Sequence, residues 1–171
     1  MKTKKLLKIM HVLAWLVFLG LLIRVGTIIT TYFISIGNEQ AAGNLFDKVD
    51  LSKYYNYSFI QYSLIVGYKV FVFTIEAYIA FLITKLLSKL NLEAPFNTKV
   101  QILMQKISYS IFYLWIIAMV HNTHVQFIGL RYKFPMELFS SDFIFLAGII
   151  FIFAQIVKRG IELQSENELT I

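Results

Sequence analysis

Apolar residues gather along this chain in four long runs, at about Leu6–Ile36, Phe59–Leu90, Val100–Val120 and Phe143–Val157, with shorter polar connections between them. A bilayer hydrocarbon core of ~30 Å takes about 20 helical residues, so the first three runs are long enough to cross it. The fourth suffices if it begins near Leu138 and its terminal Lys158 and Arg159 snorkel to the interface. The runs are too long for strands, and no hairpin rhythm interrupts them. The pattern predicts an all-α fold, an integral membrane four-helix bundle. It forms a single four-span domain over residues 1–171, with spans at about 7–35, 59–88, 100–121 and 139–158 and an acidic tail at 160–171.

The connections differ in character. Ile36–Ser58 reads as a polar, tyrosine-bearing loop. Asn91–Lys99 is a short link in which Pro95 ends one helix and Asn97 or Thr98 caps the next. The stretch HNTHVQFIGLRYKFPMELFSSD mixes aromatics with charge and reads as a loop resting on the interface, with Ser140, Ser141 and Asp142 available to cap the last span. The opening MKTKKLLK imitates a secretory signal, but the apolar run behind it is too long and no small-x-small site follows, so it reads as an uncleaved first span.

Charge sets the orientation. Lys2, Lys4, Lys5, Lys8, Lys85, Lys89, Lys99, Lys106, Lys158 and Arg159 all fall on one side of a four-span hairpin model. The other side holds Lys48, Lys53, Arg131 and Lys133 among five acids. Basic residues stay in the cytoplasm, so both termini are expected there. The net charge of +6 is then topogenic bias and attraction to anionic lipid rather than a nucleic-acid footprint, and no direct nucleic-acid binding is expected.

Composition agrees with a membrane location: 58% of residues are hydrophobic and 15% charged, against roughly 45–50% and about 25% in soluble domains. The absence of cysteine removes disulfide, thiolate-metal and CxxC chemistry. No phosphate-binding, dinucleotide, zincin or hydrolase motif is present, so neither catalysis nor a cofactor is expected.

Four polar residues inside the apolar runs form a candidate intramembrane cluster: Arg24, Lys69, Glu76 and Gln155. A charge at the bilayer centre costs about 2.5–3.5 kcal/mol, so each needs a partner or a route to water. Lys69 and Glu76 return to within roughly 20° on one helix face, but ~10 Å apart along the axis, too far to pair directly. Lys69 is expected to snorkel to the outer surface. Glu76 is too short for that, and Arg24 on an antiparallel neighbour is its expected partner, with Gln155, Tyr68 or Tyr78 completing the hydrogen bonds. A protonated Glu76 and an ion or ligand pathway through the same residues stay open beside this clamp.

His11 lies at the opposite end of the spans from His121 and His124, so the three cannot form one metal site, and interfacial histidines without a ligand are expected. No pair at matching depth suits haem. The sixteen phenylalanines and ten tyrosines, with Trp15 and Trp115, read as lipid-facing packing and interfacial belts. The tail carries Glu162, Glu166 and Glu168 between apolar residues, either a solvated helix end or a docking segment for a cytosolic partner.

The tail FIFAQIVKRGIELQSENELTI and the segment PFNTKVQILMQKISY resemble a bacterial four-span membrane family, the domain of unknown function 2975. Pro95-Phe96 opens the third helix, and Lys158-Arg159-Gly160 and Glu168-Leu169-Thr170-Ile171 close the chain in the family manner. YYNYSF (Tyr54–Phe59) and the EAYIAFLITKLLSK run resemble Bacteroidetes-type members. The resemblance implies a bacterial inner-membrane protein with no catalytic residues to transfer. It also implies a partner, because members are often encoded beside a small Cro/CI-like helix-turn-helix regulator. The expected function is therefore a non-enzymatic regulatory or accessory membrane protein. The alternative is a small transporter or channel subunit, in a homo-oligomer, using Arg24, Lys69 and Glu76.

Overall fold

The computed structural model describes residues 2–46, 49–90 and 97–168. Among them every regular element is a helix. Helix α1 spans Lys2–Gly37 and is followed by a 3₁₀ turn at Glu39–Asn44. A short α2 covers Ser52–Tyr57, and three long helices complete the chain: α3 at Phe59–Lys89, α4 at Thr98–Tyr132 and α5 at Ile144–Glu168. Helices α1, α3, α4 and α5 are each long and apolar enough to cross a membrane. Only 6% of the most apolar window of α1 is buried within the protein. Its Leu16, Ile23 and Phe33 are more than half exposed, the side-chain surface that lipid rather than water would cover. The chain is an all-helical bundle built as a multi-pass membrane protein.

Local chemistry explains the boundaries. Asn38 accepts from the Gln40 N–H at 3.1 Å and starts the 3₁₀ turn. Asn97 accepts from the Lys99 N–H at 2.8 Å and caps α4. At the far end of α4, Lys133 takes a left-handed φ of 55° and the Phe134 N–H donates to the Gly129 carbonyl at 3.2 Å. That is a Schellman-type stop made without the usual glycine.

Three expectations change. The segment 38–58 is not simply a polar loop: Ala42, Leu45, Leu51 and Tyr54 are buried, and Leu51 N–H donates to Ala42 O at 2.8 Å to close it on itself. Helix α4 continues three turns past residue 121, because no breaker intervenes and His121, Val125 and Ile128 keep the helical spacing of its buried face. Helix α5 begins at Ile144 rather than near 139, which leaves 134–143 as a connection, and it carries the acidic segment onward as helix to Glu168.

The chain divides into two compact units. One comprises Met1–Phe18, Tyr78–Tyr113 and Asp142–Ile171. Its core is Leu82, Ile107, Ile111 and Ala147, and the Ser108 hydroxyl donates to the Ala147 carbonyl at 2.8 Å. The other comprises Leu19–Ala77 and Leu114–Ser141. Its core joins Ile28, Leu45, Tyr54, Tyr62, Ile65 and Val125. The Tyr62 hydroxyl donates to Ser35 at 2.8 Å, and Ser35 in turn donates to the Tyr32 carbonyl.

Candidate functional site

The second unit concentrates the buried polar chemistry. Lys69, on α3, is only 6% exposed, and its ammonium donates to Glu137 Oε2 at 2.9 Å. The same Nζ lies 5.5 Å from the centre of the Phe139 ring. Lys69 therefore does not snorkel, as its position in the sequence suggested. It is too deeply enclosed by side chains to prefer water, and the connection between α4 and α5 brings a carboxylate to it.

The connection can do this because α4 grips its backbone. Asn122 donates through Nδ2 to the Phe139 carbonyl at 2.8 Å, and the Phe139 N–H donates to Asn122 Oδ1 at 2.9 Å. Tyr54, on α2, adds a third tie by donating to the Pro135 carbonyl at 2.7 Å. Glu137 is thus held between two anchored residues, with its side chain half exposed. Burial, and next the Glu137 carboxylate, push the Tyr54 phenol above its ordinary value.

Arg24 places its guanidinium 4.4 Å from the centre of the Phe46 ring and 4.5 Å from that of Phe73. Aromatic faces hold a guanidinium well because its plane is weakly hydrated. Glu76 is half-buried and feels the Arg24 charge through space, and no ion pair reaches Glu76 among the described residues. Arg24 and Glu76 thus interact through space rather than as a contact ion pair, and two aromatic rings clasp the guanidinium. Gln155 belongs to the other unit.

Two cavities meet the Lys69–Glu137 pair. One, of about 300 Å³, is lined by Arg24, Phe46, Phe73 and Phe139 together with the pair. The other, of about 330 Å³, is lined by Asp50, Lys53, Tyr54 and His121 together with the pair. Asp50 accepts from both the N–H and the hydroxyl of Ser52, and these bonds hold its carboxyl below its ordinary value.

The two histidines of α4 make side-chain contacts within the protein. His121 is fully buried, its ring 4.7 Å from that of Phe139 and 5.8 Å from that of Tyr68. His124 Nε2 lies 2.7 Å from Gln61 Oε1, and the Tyr68 ring also meets it. His11 instead accepts from Trp15 Nε1 at 3.2 Å within α1. Among the described residues no group of three or more metal-ligating side chains comes together.

Sequence reasoning missed Glu137, His121 and Asn122 as members of the site. The available signal was the helical spacing of the buried face of α4 beyond residue 121, which places both α4 residues inward. In the tail, Arg159 donates to Glu162 at 3.0 Å and reaches Glu166 at 3.8 Å, and Lys158 lies 4.0 Å from Glu162. Glu168 ends the helix, with its side chain outside the described residues.

Residues 48–171 match a family model described as "Protein of unknown function (DUF2975)". No curated protein and no solved structure matches the chain.

Proposed function

Since the chain belongs to the DUF2975 family, which brings no activity or catalytic feature with it, we propose that it is a non-enzymatic regulatory protein of the bacterial inner membrane. Both termini lie in the cytoplasm on this reading, and the α5 tail docks a small helix-turn-helix regulator. One observation carries the proposal: α5 continues as helix beyond Arg159, so Glu162 and Glu166 stand on a preformed rod rather than a loose tail. A DNA-binding surface is basic by necessity. An acidic helix complements such a surface and would hold the regulator away from DNA.

The test is co-purification from detergent of the full chain with a helix-turn-helix protein encoded beside it. The pair should survive washing with the wild-type chain and separate with Glu162→Lys combined with Glu166→Lys. Failure of the wild-type chain to retain the regulator at low salt would end this reading.

A second reading, a transporter or channel subunit in a homo-oligomer, draws on one specific feature, the meeting of two cavities at the Lys69–Glu137 pair. It uses Arg24, Lys69 and Glu76. In proteoliposomes, Glu76→Gln should then stop flux while the protein stays folded. A change in thermal stability alone would leave Glu76 a structural group.

A further inference from the structure

The cavity lined by Asp50, Lys53, Tyr54, Lys69, His121 and Glu137 has a floor and a rim of different character. At the floor, Lys69 is 6% exposed and His121 0%. At the rim, Asp50 and Lys53 are exposed and Glu137 is half exposed. Water can reach the half-exposed Glu137 carboxylate, whereas the floor groups are enclosed by protein.

His121 poses a definite chemical demand. Asn122 is oriented by its two bonds to the Phe139 backbone, so its Oδ1 is the atom that faces His121 Nδ1, at 3.3 Å. An acceptor there requires the proton on Nδ1. Nε2 is then a bare acceptor, fully buried, and it has no hydrogen-bond partner among the described residues. A buried acceptor left unsatisfied is costly, so the site calls for a donor.

Lys69 makes the opposite demand. One of its three N–H donors goes to Glu137, and no other hydrogen bond uses it among the described residues. It can take an anionic acceptor beside, or in place of, a carboxylate that water can release. The formal charges of the lining cancel, Lys53 and Lys69 against Asp50 and Glu137. A ligand bearing net charge would unbalance the site, but one bearing both signs would not. At about 330 Å³ the space lies at the low end of ligand sites, roughly 300–1,000 Å³.

We infer that this cavity binds a small zwitterion, with its anionic group on Lys69 and its ammonium donating to His121 Nε2 and facing Glu137. A free amino acid has this chemistry, and so does a phosphoethanolamine lipid headgroup. The site does not depend on the tail's docking role, and its test is independent of any regulator.

The test uses the full chain with ¹⁵N-labelled histidine in lipid nanodiscs. The chain has three histidines, so the His121 ring signals can be assigned by comparison with His121→Gln. In phosphatidylcholine discs, whose headgroup has no N–H donor, millimolar L-alanine, L-serine or L-glutamine should shift the Nε2 resonance. Propionate alone and ethylammonium alone should not. Lys69→Met should weaken the amino-acid response by about tenfold or more, the loss of one charged contact.

If phosphatidylethanolamine discs shift the resonance with nothing added, and free amino acids do not in phosphatidylcholine, the headgroup is the zwitterion. The inference is overturned if propionate works as well as any amino acid. It is equally overturned if neither the amino acids nor phosphatidylethanolamine moves the His121 signal.

Discussion

Breaking the Lys69–Glu137 pair from its two ends should have unequal costs. In Glu137→Ala the ammonium stays where it is, its side chain 8% exposed, and loses its only carboxylate among the described residues. A stranded buried charge costs about 3–5 kcal/mol. In Lys69→Met the carboxylate that remains is 51% exposed and can be hydrated, while methionine fills the space of the lysine stem. The loss there is that of a half-exposed pair, roughly 0–1 kcal/mol. Glu137→Ala should therefore be the more destabilising by about 2–4 kcal/mol. The double variant should return close to the level of Lys69→Met alone, because no ammonium is left to strand. Equilibrium unfolding in mixed micelles, titrated with denaturing detergent, reads all three. Equal losses in the two single variants would mean that water reaches Lys69, and the picture of an enclosed floor would have to be abandoned.

Asn122→Ala removes both bonds to the Phe139 backbone and should cost roughly 1–3 kcal/mol, with faster hydrogen exchange at the Phe139 amide. Unchanged protection at that amide would show that the clip does not hold the connection. Lys133→Gly should stabilise the end of α4 by roughly 0.5–1 kcal/mol, because a side chain at φ 55° is strained and glycine is not. A lower unfolding midpoint would contradict it. Asp50 titrates below its ordinary 3.8 because Ser52 bonds its ionised form. A depressed carboxyl adds stability above its unfolded pKa and loses it as pH falls through the folded value, so this contribution disappears only below about pH 4. Carboxyl NMR of Ser52→Ala should show the Asp50 midpoint rising toward the ordinary value. A midpoint that stays put would assign the shift elsewhere.

The four spans were plain in the sequence because hydrophobic runs of that length have few other uses. What lay outside them was harder to read, for separate physical reasons. Averaged hydropathy falls after Val120, yet the residues that matter to packing, His121, Val125 and Ile128, keep their spacing, so the helix outlasts its apolar signal. In the segment 38–58, Ala42, Leu45, Leu51 and Tyr54 are scattered among polar residues at no single period. Their burial comes from a turn closed by backbone bonds. The site was half legible. Arg24 and Lys69 announced themselves as charges in oil, but their partners did not. Phe46 and Phe73 looked like two of many phenylalanines, and Glu137 looked like one acid in a loop. The grips of Asn122 on residue 139 and of Tyr54 on residue 135, both contacts with main chain, bring Glu137 to its lysine.

The aromatic clasp on Arg24 has a consequence for how the protein is made. Arg24 of helix α1 leaves the ribosome before Phe46 and Phe73 do. During synthesis, then, the arginine enters the membrane before its shelter exists. At about 2.5–3.5 kcal/mol for a central arginine and about 0.3–0.6 kcal/mol gained per leucine, isoleucine, phenylalanine or valine, several such residues must outweigh it unaided. Helix α1 has them, with the highest mean hydropathy of the four, 2.4 over its best window. Its surplus of apolar residues is thus a requirement of birth order: this span must be able to enter with a charge that only later parts of the chain will accommodate.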